Sequence, residues 1–380
     1  MRTLALGLVS LLLALVATEI VLRTTHAFGA RLSWTEPDAL IGWRFTPSSE
    51  YWFFKENDHA ITGRINALGW RDRERTRAKA AGVTRVAVLG DSYVEAFQVE
   101  LDSTFIGVAE RLLHRPAGPR YEFMNFGRSG MSPAEELLVL ERDVLPCDPD
   151  VVVLVFTPHN DIADVSAATT TDRDRPFYGV GSDGALRLDT LFCESRGFRA
   201  RKALSPLKQR SALVSLVIER VNAWRWSRNA RSIEDPGAGG ATRALTREQT
   251  LMTARPDSMY TENYTLAKRL VAEMARRCEA NGVAFVTMCV PLVCEPHDVD
   301  ALRSLDPTLD PVFFERDLSA LADAAGFALV PLTDAFFSHY RRGGEPLYWS
   351  HWNYRGHRAV GTALASAIVA RHGAPLDDHN

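Results

Sequence analysis

The sequence has few cysteines for its length, and none of them lies in a pattern that binds metal. Five cysteines occur in 380 residues, with no Cys-x-x-Cys pair and no histidines at zinc-ligand spacing. We therefore expect no metal site and no cofactor. An odd number leaves at least one thiol free, and Cys289 with Cys294 is the pair nearest in sequence for a single bridge in an oxidising compartment.

The sequence also lacks an excess of positive charge and any internal repeat. Its net charge is −3 and its pI is near 6.4, so no basic surface is available for a phosphate backbone, and nucleic acid is excluded as a partner. With 46% hydrophobic and 24% charged residues, the chain has the composition of an ordinary globular protein. Oligomeric state cannot be read from this composition.

The one long apolar run lies at the N-terminus. Residues 4–17 are apolar except for Ser10, with Arg2 before them and Glu19 and Arg23 after them. This pattern predicts that residues 1–31 are a signal-anchor and linker, which makes the protein a single-pass protein of the cytoplasmic membrane with its body periplasmic or extracellular. Cleavage after Ala17, which would give a secreted protein, stays open as the alternative.

The rest of the chain divides into an appendage and a larger α/β domain. Residues 32–83 are rich in aromatic side chains and carry no recognisable chemistry. Residues 84–375 alternate helical patterns with short apolar runs typical of buried parallel strands, at 85–89, 121–125, 151–156, 284–290 and 328–332. We predict a three-layer α/β/α sandwich with a five-stranded parallel, flavodoxin-like sheet.

A long insertion at residues 162–260 interrupts this alternation. It contains an amphipathic pattern near residues 212–224, which predicts a helix. So long an excursion beside strand ends is usually functional or disordered. We interpret it as a cap over the site, with a peripheral decoration as the alternative.

Small and polar residues follow the first three predicted strands. Gly90-Asp91-Ser92 follows the first, a segment ending in Gly130 follows the second, and His159-Asn160-Asp161 follows the third. A serine at such a strand end can act as a nucleophile, and backbone N–H groups with an asparagine amide can stabilise the oxyanion of a tetrahedral intermediate. His351, after the last strand, is the candidate general base.

These four blocks, in this order, resemble the SGNH/GDSL hydrolase superfamily. The resemblance covers residues 84–161 and 263–371, and it implies that Ser92 is the nucleophile, that the N–H groups of Ser92 and Gly130 and the amide of Asn160 form the oxyanion hole, and that His351 is the base. The segments 42–47 and 66–72 resemble the leader of membrane-anchored bacterial members. A more distant resemblance is to the SGNH domains of polysaccharide O-acetyltransferases.

The sequence departs from this family at the acid of the triad. The family places an aspartate two or three residues before the histidine, where this chain has Trp349 and Tyr348, and Glu345 is the nearest acid upstream. We therefore expect His351 to act in a dyad with modest turnover, and Trp349→Asp to raise activity.

The pattern as a whole predicts a lipase-like serine esterase that hydrolyses an ester of a small molecule, a lipid or a glycan through an acyl-serine. An O-acyltransferase acting on an exported polysaccharide is the first alternative. A catalytically weak or inactive glycan-binding homologue, suggested by the missing acid, is the second.

Overall fold

The structure is a computed structural model of the chain, and it describes residues 2–29, 31–54, 56–114, 120–230 and 244–372. The end of the predicted domain at residues 373–375 lies outside this part of the chain.

Within the described residues, the strands form one central sheet and three small hairpins. In chain order they are β1 (Thr35–Asp38), β2 (Gly42–Phe45), β3 (Glu50–Phe53), β4 (Ile61–Arg64), β5 (Val83–Gly90), β6 (Arg120–Gly127), β7 (Val151–Phe156), β8 (Phe177–Val180), β9 (Leu186–Asp189), β10 (Ala284–Cys289) and β11 (Ala328–Val330).

The helices follow the strands of the sheet and also form part of the insertion. They are α1 (Arg2–Thr25), α2 (Ser92–Glu95), α3 (Phe105–Leu113), α4 (Pro133–Val139), α5 (Pro158–Ala163), α6 (Arg196–Arg210), α7 (Ala212–Ala230), α8 (Arg247–Thr250), α9 (Ser258–Ala280), α10 (Pro296–Arg303), α11 (Phe313–Ala325), α12 (Thr333–Arg341) and α13 (Tyr354–His372).

The central sheet has the predicted topology. Its five strands are all parallel and lie in the order β6–β5–β7–β10–β11, which is the flavodoxin-like order. Each of the five predicted strands is present, with ends within two residues of the prediction. The predicted fold class is therefore confirmed.

The sheet is buried on both faces, because alternate residues of each strand point to opposite sides. Val86 and Val88 pack with residues of α3 and α13 on one face. Ala87 and Leu89 pack with residues of α4, α9 and α11 on the other. The strand interiors are therefore mainly apolar, and the site lies beyond the carboxyl ends of the strands.

The appendage packs beside the helix that begins at Ser92. Its two hairpins, β1–β2 and β3–β4, share an aromatic cluster with Phe97, which follows α2. The buried Arg71 donates to the carbonyls of Glu95 at 2.9 Å and Val99 at 2.6 Å and to the hydroxyl of Tyr51 at 3.1 Å. A single side chain thus ties the β3–β4 hairpin to the C-terminal end of α2.

The insertion and the N-terminal helix lie against each other. α1 is the one helix among the described residues that is long and apolar enough to cross a membrane. In the insertion, the predicted helix is present as α7; α6 packs on β1, and α7 packs on α6 and on the end of α1. The helical part of the insertion therefore contacts the appendage and the N-terminal helix.

Candidate active site

Ser92 lies at the carboxyl end of the sheet, at the first residue of α2. The side chain of Asp91 caps this short helix by accepting the N–H of Tyr93 at 3.0 Å, and β5 ends directly before it. Gly127 of β6 lies so close to α2 that a Cβ there would be 2.3 Å from the nitrogen of Glu95. The glycine allows the turn after β5 to pack on the neighbouring strand and so presents the serine at the sheet edge.

His351 faces Ser92 from the loop between α12 and α13. Its Nε2 lies 2.8 Å from Ser92 Oγ, across 259 residues of sequence. The imidazole contacts the ring of Tyr93, with the centroids 4.9 Å apart, and the buried Trp352 packs against that same tyrosine. The loop therefore holds the imidazole in hydrogen-bonding geometry with the candidate nucleophile.

The acid beside His351 comes from the appendage. Glu56, in the loop between β3 and β4, places Oε1 2.9 Å from Nδ1 of His351 and accepts the backbone N–H of His351 on Oε2, also at 2.9 Å. Both carboxylate oxygens therefore bind the same residue. The expectation of a Ser92–His351 dyad, with a backbone carbonyl or Glu345 orienting the imidazole, is wrong, because Glu56 binds Nδ1 of His351. The motive for an inactive homologue is removed with it.

The two positions at which the family pattern places an acid, and the nearest acid upstream, Glu345, have other roles. The hydroxyl of Tyr348 donates to Glu295 at 3.0 Å. The ring of Trp349 contacts Tyr354, and its backbone N–H donates to the carbonyl of His351 at 2.7 Å. Glu345 forms an ion pair with Arg355 instead of turning back to the imidazole. Glu56 lies 295 residues from His351 in sequence, far from the positions at which the family pattern places the acid.

Hydrogen bonds of Asn57 and His59 hold the Glu56 loop in place. Asn57 donates from Nδ2 to the carbonyl of Gln98 and to the hydroxyl of Tyr354, each at 3.0 Å. His59 lies 3.0 Å from Glu100, which also accepts the Tyr354 hydroxyl at 2.7 Å. The backbone of Glu56 itself has a positive φ of 69°, a conformation that non-glycine residues adopt rarely.

The charges of Glu56 and His351 stabilise each other. Burial raises the pKa of Glu56, but hydrogen bonds and charge from His351 outweigh this effect and bring the pKa to about 2. Burial lowers the pKa of His351, but the hydrogen bond to Glu56 and the negative charge of that carboxylate outweigh burial and raise the pKa above 6.5. A proton arriving on Nε2 is therefore stabilised, while Glu56 stays ionised.

Two backbone N–H groups and one amide face the space beside Ser92. The N–H groups of Ser92 and Gly130 have no hydrogen-bond partner among the described residues, and both residues line the same cleft as Asn160. Gly130 has φ of 71°, a left-handed conformation suited to glycine, and its carbonyl accepts the guanidinium of Arg175. The structure brings these three residues together in one cleft beside Ser92 Oγ.

Asp91 fixes the orientation of Asn160. The asparagine Nδ2 donates to Asp91 Oδ2 at 2.5 Å. Because an amide nitrogen carries two N–H donors, the second remains for a group bound in the cleft. Asp91 is fully buried, and burial raises its pKa.

Two more carboxyl groups lie buried behind Asp91. Glu136 and Asp161 are fully buried, and both side-chain oxygens of Glu136 lack a hydrogen-bond partner among the described residues. Burial, reinforced by the charges of neighbouring carboxylates including Asp91, raises the pKa of Glu136 well above 4.5. The same causes raise the pKa of Asp161, so this pair retains protons at pH values where exposed carboxyls are ionised.

The cleft at Ser92 has a volume of about 780 Å³ and is formed mainly by the ends of the central strands. Its apolar wall comes from the segment after β10, with Val290, Leu292 and Val293, together with Leu302 of α10. Of the insertion, Gln249 lines this cleft. The cap interpretation fails for α6 and α7, which lie against the appendage and α1.

All five cysteines are free thiols, including Cys289 and Cys294.

No protein-family model matches the chain, and no curated protein matches it. Among solved structures, it is similar to an acetyl xylan esterase, with 15% identity and a TM-score of 0.41 over 75% of this chain and 99% of that one. An acetylxylan esterase from Geobacillus stearothermophilus gives 13% identity and a TM-score of 0.41, over 80% of this chain and 100% of that one.

A third similar structure is an enzyme described as an alpha/beta hydrolase from the metagenome of Lake Arreo, Spain, with 16% identity and a TM-score of 0.40. The alignment covers 78% of this chain and 97% of that one. At these identities and TM-scores the similarity is a distant likeness of fold, and it assigns no residue role to this chain.

Proposed function

We propose that the chain is a serine ester hydrolase that works through an acyl-serine intermediate. The observation that carries this proposal is the hydrogen-bonded series Glu56–His351–Ser92, with distances of 2.9 Å and 2.8 Å. Such a series activates a serine hydroxyl, because a carboxylate fixes the histidine tautomer and leaves Nε2 free to accept the serine proton.

In the acylation half-reaction, Ser92 Oγ attacks the ester carbonyl carbon while its proton passes to His351 Nε2. The carbonyl oxygen becomes an oxyanion that accepts the N–H groups of Ser92 and Gly130 and the second amide N–H of Asn160. The tetrahedral intermediate then collapses, the C–O bond to the alcohol breaks, and His351 returns its proton to the leaving alkoxide.

In deacylation, a water molecule takes the place of the alcohol. It attacks the acyl carbon and gives its proton to His351, and Ser92 leaves with that proton as the free carboxylic acid is released. Glu56 keeps its charge throughout. If a sugar hydroxyl replaces water at this step, the same acyl-serine becomes the intermediate of an acyltransferase.

The test of this proposal is labelling with a fluorophosphonate probe combined with hydrolysis of p-nitrophenyl acetate. We expect mass spectrometry to place the adduct on Ser92 and Ser92→Ala to lose both labelling and turnover. Equal labelling of wild type and Ser92→Ala would refute the proposal. Adding a glycan acceptor separates the two fates, since a transferase moves the acetyl group to the glycan instead of releasing acetate.

We further propose that α1 anchors the protein in the cytoplasmic membrane with the catalytic body on the exported side. The length of α1, its exposed apolar side chains and the position of Arg2 before the apolar run support this placement. An alkaline phosphatase reporter fused to the C-terminus should be active only when exported. A body found in the soluble cytoplasmic fraction would contradict this placement.

A further inference from the structure

The joint between α6 and α7 is attached to the outer end of α1 by a single carboxylate. Glu19 of α1 accepts the hydroxyl of Ser211 at 2.9 Å and the backbone N–H groups of Ala212 at 2.8 Å and Leu213 at 3.0 Å. The Glu19 carboxylate thereby accepts hydrogen bonds from the free N–H groups at the start of α7, as a helix-capping residue does.

Further contacts show that α7 runs beside the end of α1. Leu22 is buried against Ala212, and Arg23 donates to the carbonyl of Arg210. Farther along, Arg220 donates to the carbonyl of Phe28 at 2.7 Å. Residues 212–220 therefore run alongside residues 19–28 in the same direction. The joint at Ser211, at the start of this pairing, is the part of the insertion nearest the apolar portion of α1.

The depth of Glu19 places this joint at the membrane boundary. From Arg2 to Arg23, α1 spans about 30 Å, which equals the usual thickness of the hydrocarbon core. Glu19 lies one turn before Arg23, its partner at 2.5 Å, and so about 6 Å inside that outer limit. A carboxylate at that depth is costly unless its hydrogen bonds are satisfied, and the three donors of the joint satisfy those that Arg23 leaves open.

The side chains around the joint suit an anionic bilayer surface. Leu207 in the last turn of α6 is 52% exposed. α6 contains six basic and no acidic residues, and Arg210 at its end is exposed. An exposed leucine among cationic side chains is the composition of an interfacial helix on anionic phospholipid.

A cavity at the same junction has a matching charge. It has a volume of about 1030 Å³ and lies between the end of α1, the α6–α7 joint and the appendage. Its basic lining residues are Arg23, His26, Arg31 and Arg64, against the one carboxylate of Glu50. The junction therefore offers positive charge where headgroup phosphates lie.

We propose that the α6–α7 joint is a second membrane contact, in which Leu207 and Arg210 lie in the headgroup layer of an anionic bilayer and Glu19 fixes the joint to α1. The inference rests on the proposed membrane placement of α1. The contact gives the catalytic body a fixed orientation to the membrane, which a flexible tether after α1 would not supply.

The experiment uses the full chain in nanodiscs, with the photoreactive residue p-benzoylphenylalanine introduced at Leu207. The matched control carries it at Leu112, a leucine of α3 that is 42% exposed on the sandwich. After irradiation in a bilayer of phosphatidylcholine and phosphatidylglycerol, we expect lipid adducts at position 207 and few at 112. Fluorophosphonate labelling of Ser92 verifies that each variant is folded.

Equal adduct yields at the two positions would overturn the proposal, as would crosslinking of position 207 to a second protein chain. If pure phosphatidylcholine gave the same adduct yield at position 207 as the mixed bilayer, the claim that the joint prefers anionic phospholipid would be overturned. Glu19→Gln should lower the yield at 207 on the order of fivefold, because an amide cannot accept the three donors as a carboxylate does. If the wild-type chain does not stay in the bilayer, the proposal that α1 anchors it in the membrane is refuted. If it stays but gives no lipid adducts at position 207, only the proposal that the α6–α7 joint contacts the membrane is refuted.

Discussion

The substitution Glu56→Gln tests the least expected member of the site. The carboxylate accepts two hydrogen bonds from His351, one from Nδ1–H and one from the backbone N–H. Glutamine has one oxygen, so its NH₂ must face one of these donors. If it faces Nδ1, the proton moves to Nε2, and the imidazole can no longer accept the proton of Ser92. If it faces the backbone, two donors oppose each other and the loop is pushed away.

The expected loss is large in either arrangement. In the serine protease triad, the same change of carboxylate to amide lowers kcat by about 10⁴, which corresponds to about 5.5 kcal/mol of transition-state stabilisation. Glu56 and His351 lie partly in contact with solvent, with 15% and 28% of their side chains exposed. We therefore expect kcat to fall by about 10³ to 10⁴, with little change in KM, since Glu56 does not line the cleft.

The pH profile supplies a second, independent signal. His351 must be neutral to accept a proton, so kcat/KM should rise with pH through a pKa above 6.5 in the wild-type chain. Removing the charge of Glu56 removes the main cause that raises this pKa. The acid limb of the profile should therefore move to lower pH in Glu56→Gln, even though the plateau is far lower.

The measurement is the hydrolysis of p-nitrophenyl acetate from pH 5 to 9. The matched control is Asp58→Asn, the same chemical change at an exposed position of the same loop, and it should leave both the plateau and the limb unchanged. A loss of less than tenfold in Glu56→Gln, together with an unmoved acid limb, would refute the assignment of Glu56 as the acid.

Three further changes follow from the same geometry. Asn160→Ala should lower kcat about 10² to 10³ while Ser92 still reacts with a fluorophosphonate, because one oxyanion donor is lost; an unchanged kcat would exclude it from the hole. Trp349→Asp should not raise kcat/KM, because Glu56 already binds Nδ1 of His351, and a gain would show that Glu56 is not the working acid. Glu136→Gln should raise the melting temperature more at pH 8 than at pH 5. Because the pKa of Glu136 is raised in the folded state, the free energy of unfolding of the wild-type chain falls as pH rises above 4.5, by up to about 1.4 kcal/mol per pH unit until the folded pKa is passed, and glutamine removes this loss. An equal shift of the melting temperature at both pH values would contradict this.

The central sheet and the residues at its strand ends could be predicted from the sequence. A strand buried on both faces must be apolar at every position, and the run from Val151 to Phe156 shows this directly. Polar residues that interrupt such a run mark where the strand leaves the core. Ser92 and Asn160 follow β5 and β7 in this way, because parallel strands bring their carboxyl ends to one edge, whereas the choice of Gly130 depends on the family resemblance.

Glu56 could not be found by the same argument. It lies 295 residues from His351 in sequence, in a loop whose position depends on how the appendage docks. Periodicity reports which face of an element is buried, but it does not report which distant loop meets another. The departure at Trp349 showed only that the acid was missing from its usual place.

One signal in the sequence did point toward the docking. Within the segment 66–72, Arg71 binds the carbonyls after α2, and Asp72 accepts the backbone N–H of Asn125 in β6 at 3.1 Å. These buried charged groups are satisfied only when the appendage lies on the catalytic domain. The arginine and the aspartate at the end of this segment thus indicate that the appendage docks on the domain that carries Ser92.

In the proposed mechanism, the division of the triad between two parts of the chain makes catalysis depend on that docking. Ser92, His351 and the oxyanion donors are all placed by the strand ends and the loop before α13, so they remain in position if the β3–β4 hairpin moves. What is lost in that event is Glu56 alone, and the site becomes the dyad that the C-terminal motif predicts. Weakening the contacts of Asn57, which hold the Glu56 loop, should therefore lower kcat in the same direction as Glu56→Gln, and Ser92 should still react with a fluorophosphonate, though more slowly, because the hairpin acts on the reaction only through the orientation and charge it gives to the imidazole.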